Sequence, residues 1–254
     1  MEQTRRSQVL RALHARASVV ETAAGEDALL DELVTPIQPT IVSFVNAHAV
    51  NLAWKNPPIG EVFLQSDVLL RDGIGVELGM HLLGRRPGRN LNGTDLIPRL
   101  AARFGGRRIA LLGTKEPWLG KARAVLEARD LEIVACEHGF HDTDHYVDIV
   151  ERSKPELVIL AMGMPKQETV ALALRAALNE PTTIVNGGAI LDFLGGKVAR
   201  APEWMRRARI EWVYRLVNEP WRLASRYVVG NPMYVLRVVS TRLRLGPISG
   251  STPA

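Results

Sequence analysis

A short apolar run ends in an aspartate and two closely spaced glycines in Ser66-Asp67-Val68-Leu69-Leu70-Arg71-Asp72-Gly73-Ile74-Gly75. A compact apolar run reads as a buried parallel strand, and Asp-Gly after it reads as the chain turning out of the sheet. Asp72 therefore falls at the carboxyl end of a strand. In open α/β sheets that edge binds ligands, because loops fan apart there and the following helices aim their N-termini at the crevice. Asp72 is the chemical centre of this reading. Asn46, Gly113-Thr114, Gly163 to Gln167 and Asn186-Gly187-Gly188 fall at further strand ends on the same edge. Any one of them reads as a turn or a helix cap. Together they fit a nucleotide crevice, since glycines admit the backbone to a phosphate and helix N-termini offer N–H donors.

Other small patterns point to other chemistries. Gly73-Ile74-Gly75-Val76-Glu77-Leu78-Gly79 follows a strand, as a dinucleotide fingerprint does, but its third glycine falls one place late and Asp72 occupies the phosphate approach. An NAD(P)-dependent Rossmann oxidoreductase is the alternative function on that motif. Asp142-Thr143-Asp144 has the form of a metal-binding Asp-X-Asp, yet it stands where a helix starts, and capping is the better reading. His138, His141 and His145 cluster beside it without the paired spacing of a zinc site, so no metal is assigned. No Gly-X-X-X-X-Gly-Lys-Ser/Thr loop is present, which argues against an ATPase.

The elements that must position these residues follow from periodicity. A helical or loose leader is expected over 3–14, a first strand over 17–21 and a helix from about 25 to 33. Strands are expected over 40–45, 67–71, 108–112, 131–136, 156–161 and 182–185. Helices fill the gaps at 47–55, 57–65, 75–83, 94–104, 118–128, 146–153 and 165–177. This alternation predicts an α/β fold, a Rossmann-like parallel sheet flanked by helices. After Lys197 the pattern becomes helix after helix, broken near Pro220 and Pro232. The expected division is residues 1–198 as an α/β domain that carries the nucleotide crevice and 199–254 as a small C-terminal helical appendage.

With 254 residues and 46% hydrophobic content the chain can bury one substantial core. Its single cysteine, Cys136, excludes an internal disulfide and suits a reducing compartment. The first residues lack an apolar core segment, so no signal peptide is expected, and no apolar run approaches the ~20 residues of a membrane span. From Arg200 onward the chain carries ten arginines, no lysine and three acids, so the basic balance belongs to the tail. Trp204, Trp212, Tyr214, Trp221 and Tyr227 are mixed among those arginines.

Asn46-Ala47, Asp72-Gly73-Ile74-Gly75, Asn92-Gly93-Thr94-Asp95-Leu96, Gly163-Met164-Pro165-Lys166-Gln167-Glu168, Asn186-Gly187-Gly188-Ala189 with Asp192-Phe193, and Arg200-Ala201-Pro202 before Glu211-Trp212 form an ordered set. The set resembles the WecG/TagA/CpsF family of bacterial glycosyltransferases over roughly residues 40 to 228. The resemblance implies transfer of a sugar, with inversion, from a UDP-sugar to a sugar already attached to a polyprenyl diphosphate lipid, in cell-envelope or exopolysaccharide biosynthesis. N-acetylmannosamine, glucose and galactose all suit the family.

The resemblance makes Asp72 the general base, and a crevice carboxylate suits that task, because the acceptor hydroxyl must lose a proton as it attacks the anomeric carbon. Gln167 and Asn46 become active-site residues. Asn186, Gly187, Gly188 and Asp192 line the nucleotide pocket, with Asp192 toward uracil or ribose, and Thr94, Asp95, Gly113, Thr114 and Lys166 contribute to substrate binding. Donors at the Pro165-Lys166-Gln167 helix start would stabilise the leaving UDP with neither a metal nor another cofactor. The sequence departs from the family at Phe44, where a Thr commonly stands two places before the asparagine. The tail matches the family's membrane-associated appendage. Arg206, Arg209, Arg215, Arg222 and Arg226 are its candidates for the acceptor diphosphate or the leaving group, since arginine pairs with phosphate and aromatic residues favour the interface with an anionic membrane. A nucleic-acid partner is not expected, because no known nucleic-acid-binding motif is placed there. The expected location is the bacterial cytoplasm, peripheral on the inner face of the membrane, and the oligomeric state, a homo-oligomer included, is left open.

Overall fold

The computed structural model describes residues 2–208 and 210–248. In chain order the elements are α1 (Glu2–Arg16), α2 (Ala23–Val34), β1 (Thr40–Val45), α3 (Ala47–Lys55), α4 (Pro57–Leu64), β2 (Val68–Arg71), α5 (Gly73–Leu82) and α6 (Gly93–Ala102). They continue as β3 (Arg108–Gly113), α7 (Trp118–Glu127), β4 (Glu132–Glu137), α8 (Thr143–Ser153), β5 (Leu157–Ala161), α9 (Lys166–Ala177), β6 (Thr183–Asn186) and α10 (Ile190–Leu194). The last helices are α11 (Glu203–Arg207), α12 (Glu211–Asn218), α13 (Pro220–Ala224) and, after a π-turn over Ser225–Val229, α14 (Gly230–Leu245).

The strands form one parallel sheet in the order β2-β1-β6-β5-β3-β4, the α/β architecture expected from the alternation. The strand expected over 17–21 is a correction. Ser18 makes a single parallel bridge to Leu70, and α1 already occupies the chain to Arg16. Its apolar residues 17, 19 and 20 are too few to carry a seventh strand past that one bridge.

Parallel strands covered on both faces read as continuous apolar runs, and β1 shows why. Val42 and Phe44 pack into one layer with Leu96, Ile97 and Leu100 of α6. Ile41 packs into the opposite layer with Tyr146, Val150 and Val170, while Val45 joins α3 and α5. All six carboxyl ends therefore lie on one edge. Between β3 and β5 the outgoing connections diverge, β3 leading outward to β4 and β5 inward to β6, which is where an open sheet forms a crevice.

The C-terminal helix belongs to this packing. Tyr234 and Val238 of α14 are buried with Leu10 and Leu13 of α1 and with Met80 of α5. A Cβ on Gly79 would lie 1.8 Å from the Tyr234 hydroxyl oxygen, so glycine is what lets α5 and α14 approach. His14 closes the contact. Its Nδ1 lies 2.8 Å from the Leu10 carbonyl oxygen and its Nε2 2.7 Å from the Tyr234 hydroxyl. A carbonyl only accepts, so Nδ1 carries the proton and Tyr234 donates to Nε2. Burial lowers the His14 pKa to about 4, which keeps the ring neutral in this arrangement.

Candidate active site

Strand register brings Asn46 and Asp72 together. Val45 pairs with Arg71, and the next residue of each strand is the first to leave the sheet. The Asp72 N–H still bonds the Val45 carbonyl at 2.8 Å. Asn46 caps α3, its side-chain oxygen accepting the Ala49 N–H at 3.0 Å, and its Nδ2 donates to Asp72 Oδ2 at 3.4 Å. Asp72 stands at the N-cap of α5 but makes no side-chain cap bond, which leaves its carboxylate to the crevice. Gly73 takes φ +85 and gives its N–H to Asn90.

The crevice above the sheet edge has a volume of about 440 Å³. Asn46 and Asp72 lie on one side of its lining, Thr114 and Gly139 on the other, and Gln167, Asn186, Gly187, Gly188 and Asp192 between them. Thr94, Phe44, Arg215 and Arg226 complete its wall. Burial raises the Asp72 pKa, while the Asn46 amide and the guanidinium groups of Arg226, Arg215 and Arg71 pull against that rise. A carboxylate so placed is a base of more than ordinary strength that stays beside positive charge.

The donor loops are held by buried polar contacts. Gly188 donates its N–H to Gln167 Oε1 at 3.0 Å, so the other end of that amide donates to Glu168 Oε1 at 2.8 Å. Asn186 Nδ2 donates to the Ser43 hydroxyl at 2.8 Å, which pairs with Ser66 at 2.7 Å. The Thr114 hydroxyl donates to Asp192, whose carboxylate also meets Lys197 at 3.0 Å. At Gly113 an added Cβ would stand 2.2 Å from the Ala161 carbonyl oxygen, so only glycine lets β3 run beside β5 at this point.

Several sequence-derived candidates stand elsewhere. Lys166 is not among the crevice-lining residues and gives its ammonium to the carbonyls of Gly139 and His141, at 3.0 and 2.7 Å. Asp95 is also outside the lining, bonded to Asn92 and paired with Arg200 at 2.7 Å and Arg206 at 3.9 Å. Burial works against its charge, but Asn92, Arg200 and Arg206 outweigh it and hold its pKa below the usual carboxylate range. Arg200 and Arg206 thus join the first turn of α6 to the tail. Arg215 and Arg226, by contrast, line the crevice, Arg215 over the Phe193 ring at 5.3 Å and Arg226 over Tyr227 at 5.8 Å. Arg209 and the side chain of Arg222 lie outside the described residues.

Three participants escaped sequence reasoning. Arg71, which reads as an ordinary strand residue, is buried, pairs with Glu77 at 3.0 Å and donates to the carbonyls of Pro87 and Gly88. It ties the loop after α5 to the base of Asp72. His48 lines the crevice two residues beyond Asn46, and burial, then Arg226 and Lys55, lower its pKa to about 4. Glu168, behind Gln167, is buried with Oε2 lacking a partner, and burial lifts its pKa to about 7. The sequence signal for Glu168 was its place in the Gly163 to Glu168 run; a lone histidine in a helix gave none.

The dinucleotide alternative loses its footing here. Its glycine run follows β2, an edge strand, whereas the dinucleotide fold places that strand at the centre of the sheet. Gly79 serves the contact with Tyr234 instead of a phosphate.

Comparison with known proteins agrees with this geometry. A 204-residue stretch is 29% identical to an N-acetylglucosaminyldiphosphoundecaprenol N-acetyl-beta-D-mannosaminyltransferase of Bacillus subtilis (strain 168), covering 78% of each chain. The enzyme of that name from Staphylococcus aureus (strain MW2) is 24% identical over 217 residues, 84% of this chain and 81% of its own. The profile of the Glycosyl transferase WecG/TagA/CpsF family matches residues 15–247, so the sheet, the crevice and the tail helices together place the chain in that family of glycosyltransferases.

Proposed function

We propose that the chain transfers N-acetylmannosamine from its UDP derivative to an N-acetylglucosamine carried on a polyprenyl diphosphate, with inversion and Asp72 as general base. The acceptor hydroxyl attacks the anomeric carbon, a new C–O bond forms as the bond to UDP breaks, and the hydroxyl proton passes to Asp72. Arg215 and Arg226 supply positive charge where the diphosphates of donor and acceptor gain or hold negative charge. No metal is assigned a step in this displacement. The observation that carries the reading is the Asp72 carboxylate, making no cap bond, raised in pKa by burial and lining the crevice together with Asn46, Arg215 and Arg226. The relatives' names supply the sugar and the acceptor.

Attachment to the inner face of the cytoplasmic membrane would bring the lipid within reach. Among the described residues no helix is long and apolar enough to cross a membrane. Trp204, Trp221, Val228 and Val229 are exposed on the same arginine-rich segment, a composition suited to an anionic surface.

The decisive test measures UDP release with a short-chain polyprenyl diphosphate N-acetylglucosamine acceptor and a panel of UDP-sugars, with and without EDTA. Turnover of UDP-N-acetylmannosamine that survives EDTA and collapses in Asp72→Asn is expected. Preference for a UDP-hexose would move the sugar assignment, and unchanged turnover in Asp72→Asn would remove the base.

A further inference from the structure

The loop that carries Gly139 and Phe140 to the crevice is framed by three side chains the transfer reaction does not use. Glu137 ends β4, His141 follows four residues later, and His145 stands four beyond that in the first turn of α8. Glu137 Oε2 lies 3.4 Å from His141 Nε2 and 3.8 Å from His145 Nε2, and one ligand atom from each residue falls within 4.8 Å of the others. His145 Nε2 is shielded from solvent and has no hydrogen-bond partner among the described residues. The His141 and His145 rings stack face to face with centroids 3.8 Å apart, so one ring turns out of the stack when both nitrogens meet a single ion.

We propose that Glu137, His141 and His145 bind a zinc-class divalent ion. Ligand atoms at ~2.0–2.2 Å around a tetrahedral ion lie roughly 3.3–3.5 Å apart, so the 3.4 Å pair already has that spacing and rotation of the His145 ring out of the stack brings in the third ligand. Two imidazoles and one carboxylate favour zinc over magnesium or calcium, which prefer all-oxygen sites. The three side chains remain about a third exposed, leaving room for ion entry and a water as fourth ligand.

The site is structural. β4 and β2 are opposite edges of the sheet, five strand spacings or about 24 Å apart, so the ion stands far from Asp72. What it would do is fasten the end of β4 to the start of α8 around residues 138–142. Lys166 already holds that loop from inside, through the carbonyls of Gly139 and His141. The ion would fix the Phe140 wall from outside. This site does not depend on the identity of donor or acceptor.

The test titrates Zn²⁺ alone into the untagged, chelator-treated full chain, with Co²⁺ as a spectroscopic substitute. One ion per chain is expected, together with a higher Tm and slower amide exchange at residues 138–142. Affinity should weaken at least ~100-fold in His141→Ala/His145→Ala and about tenfold or more in Glu137→Gln, while Cys136→Ser binds as wild type. The Co²⁺ spectrum should show nitrogen and oxygen ligation without a thiolate charge-transfer band. Absence of stoichiometric binding, equal binding by the double histidine variant, or a thiolate band lost in Cys136→Ser would each overturn the assignment.

Discussion

Asn46 serves α3 and Asp72 at once: one end of its amide caps the helix at 3.0 Å and the other donates to the Asp72 carboxylate at 3.4 Å. The chemistry of the base is thereby tied to the fold of its neighbour strand. Burial raises the Asp72 pKa and the Asn46 bond opposes that rise. A base acts only when deprotonated, so the acid limb of kcat/KM should lie above the ordinary carboxylate range. Asn46→Ala should move that limb to still higher pH and cost about 1 kcal/mol of stability through the lost cap. Steady-state rates across pH, with a denaturant melt of the variant, check both halves.

Asp72→Asn keeps the shape and removes the proton acceptor. A fall in kcat of about 10²–10⁴-fold is expected, with UDP affinity within a few-fold of wild type. Calorimetry with UDP beside single-turnover rates separates chemistry from binding.

Arg215 and Arg226 both line the crevice and both favour the ionised form of Asp72. Removing either, as Arg215→Ala or Arg226→Ala, should lower kcat/KM by tenfold or more, at ~1.5–3 kcal/mol for a charged hydrogen bond, and shift the acid limb upward. Arg207, exposed and paired with Glu203, is the control, and Arg207→Ala should change neither.

Glu168 offers a stability test apart from activity. Its pKa rises from an ordinary 4.5 to about 7 because its charge would be buried. Between those values the native state holds the proton that the unfolded chain releases, so stability falls as pH rises through 7, by about 3 kcal/mol in all at 1.36 kcal/mol per unit. Glu168→Gln can still accept from Gln167 and should lose this slope. Urea melts at pH 5 and pH 8 would show it, and an unchanged slope would remove Glu168 as its source.

His14 works in the opposite direction. Its pKa of about 4 lies below the ordinary 6.5, so the unfolded chain gains a proton first, and stability drops as pH falls from 6.5 toward 4. Tyr234→Phe leaves the buried Nε2 unpaired and should cost about 1–3 kcal/mol. Guanidinium unfolding at pH 7 measures that cost, and a loss below 0.5 kcal/mol would sink the hydrogen-bond assignment.

The strands of this chain were legible because both faces of a parallel sheet are apolar, and Asn46, Asp72, Thr114 and Asn186 were legible as the polar residues that follow such runs. What stayed hidden depends on pairing across long separations. Nothing near Arg71 announces that its guanidinium will reach Pro87 and Gly88, or that Lys166 will spend its ammonium on Gly139 and His141. Asp95, expected at the substrate, finds Arg200 over a hundred residues away instead. The segment 17–21 has strand-like residues, yet Ser18 makes only one bridge to Leu70. Composition cannot report where an edge stops recruiting neighbours.

The match to the family profile begins at residue 15, one residue before α1 ends. Leu10, Leu13 and His14 nevertheless form the seat of Tyr234 and Val238, and Arg11 donates to the carbonyls of Leu245 and Pro247 at 3.1 and 2.8 Å. A fragment trimmed to the matched region would keep every crevice residue and still uncover the apolar side of α14. The boundary of recognisable ancestry and the boundary of the folding unit are different lines in this protein, and expression fragments should be cut along the second.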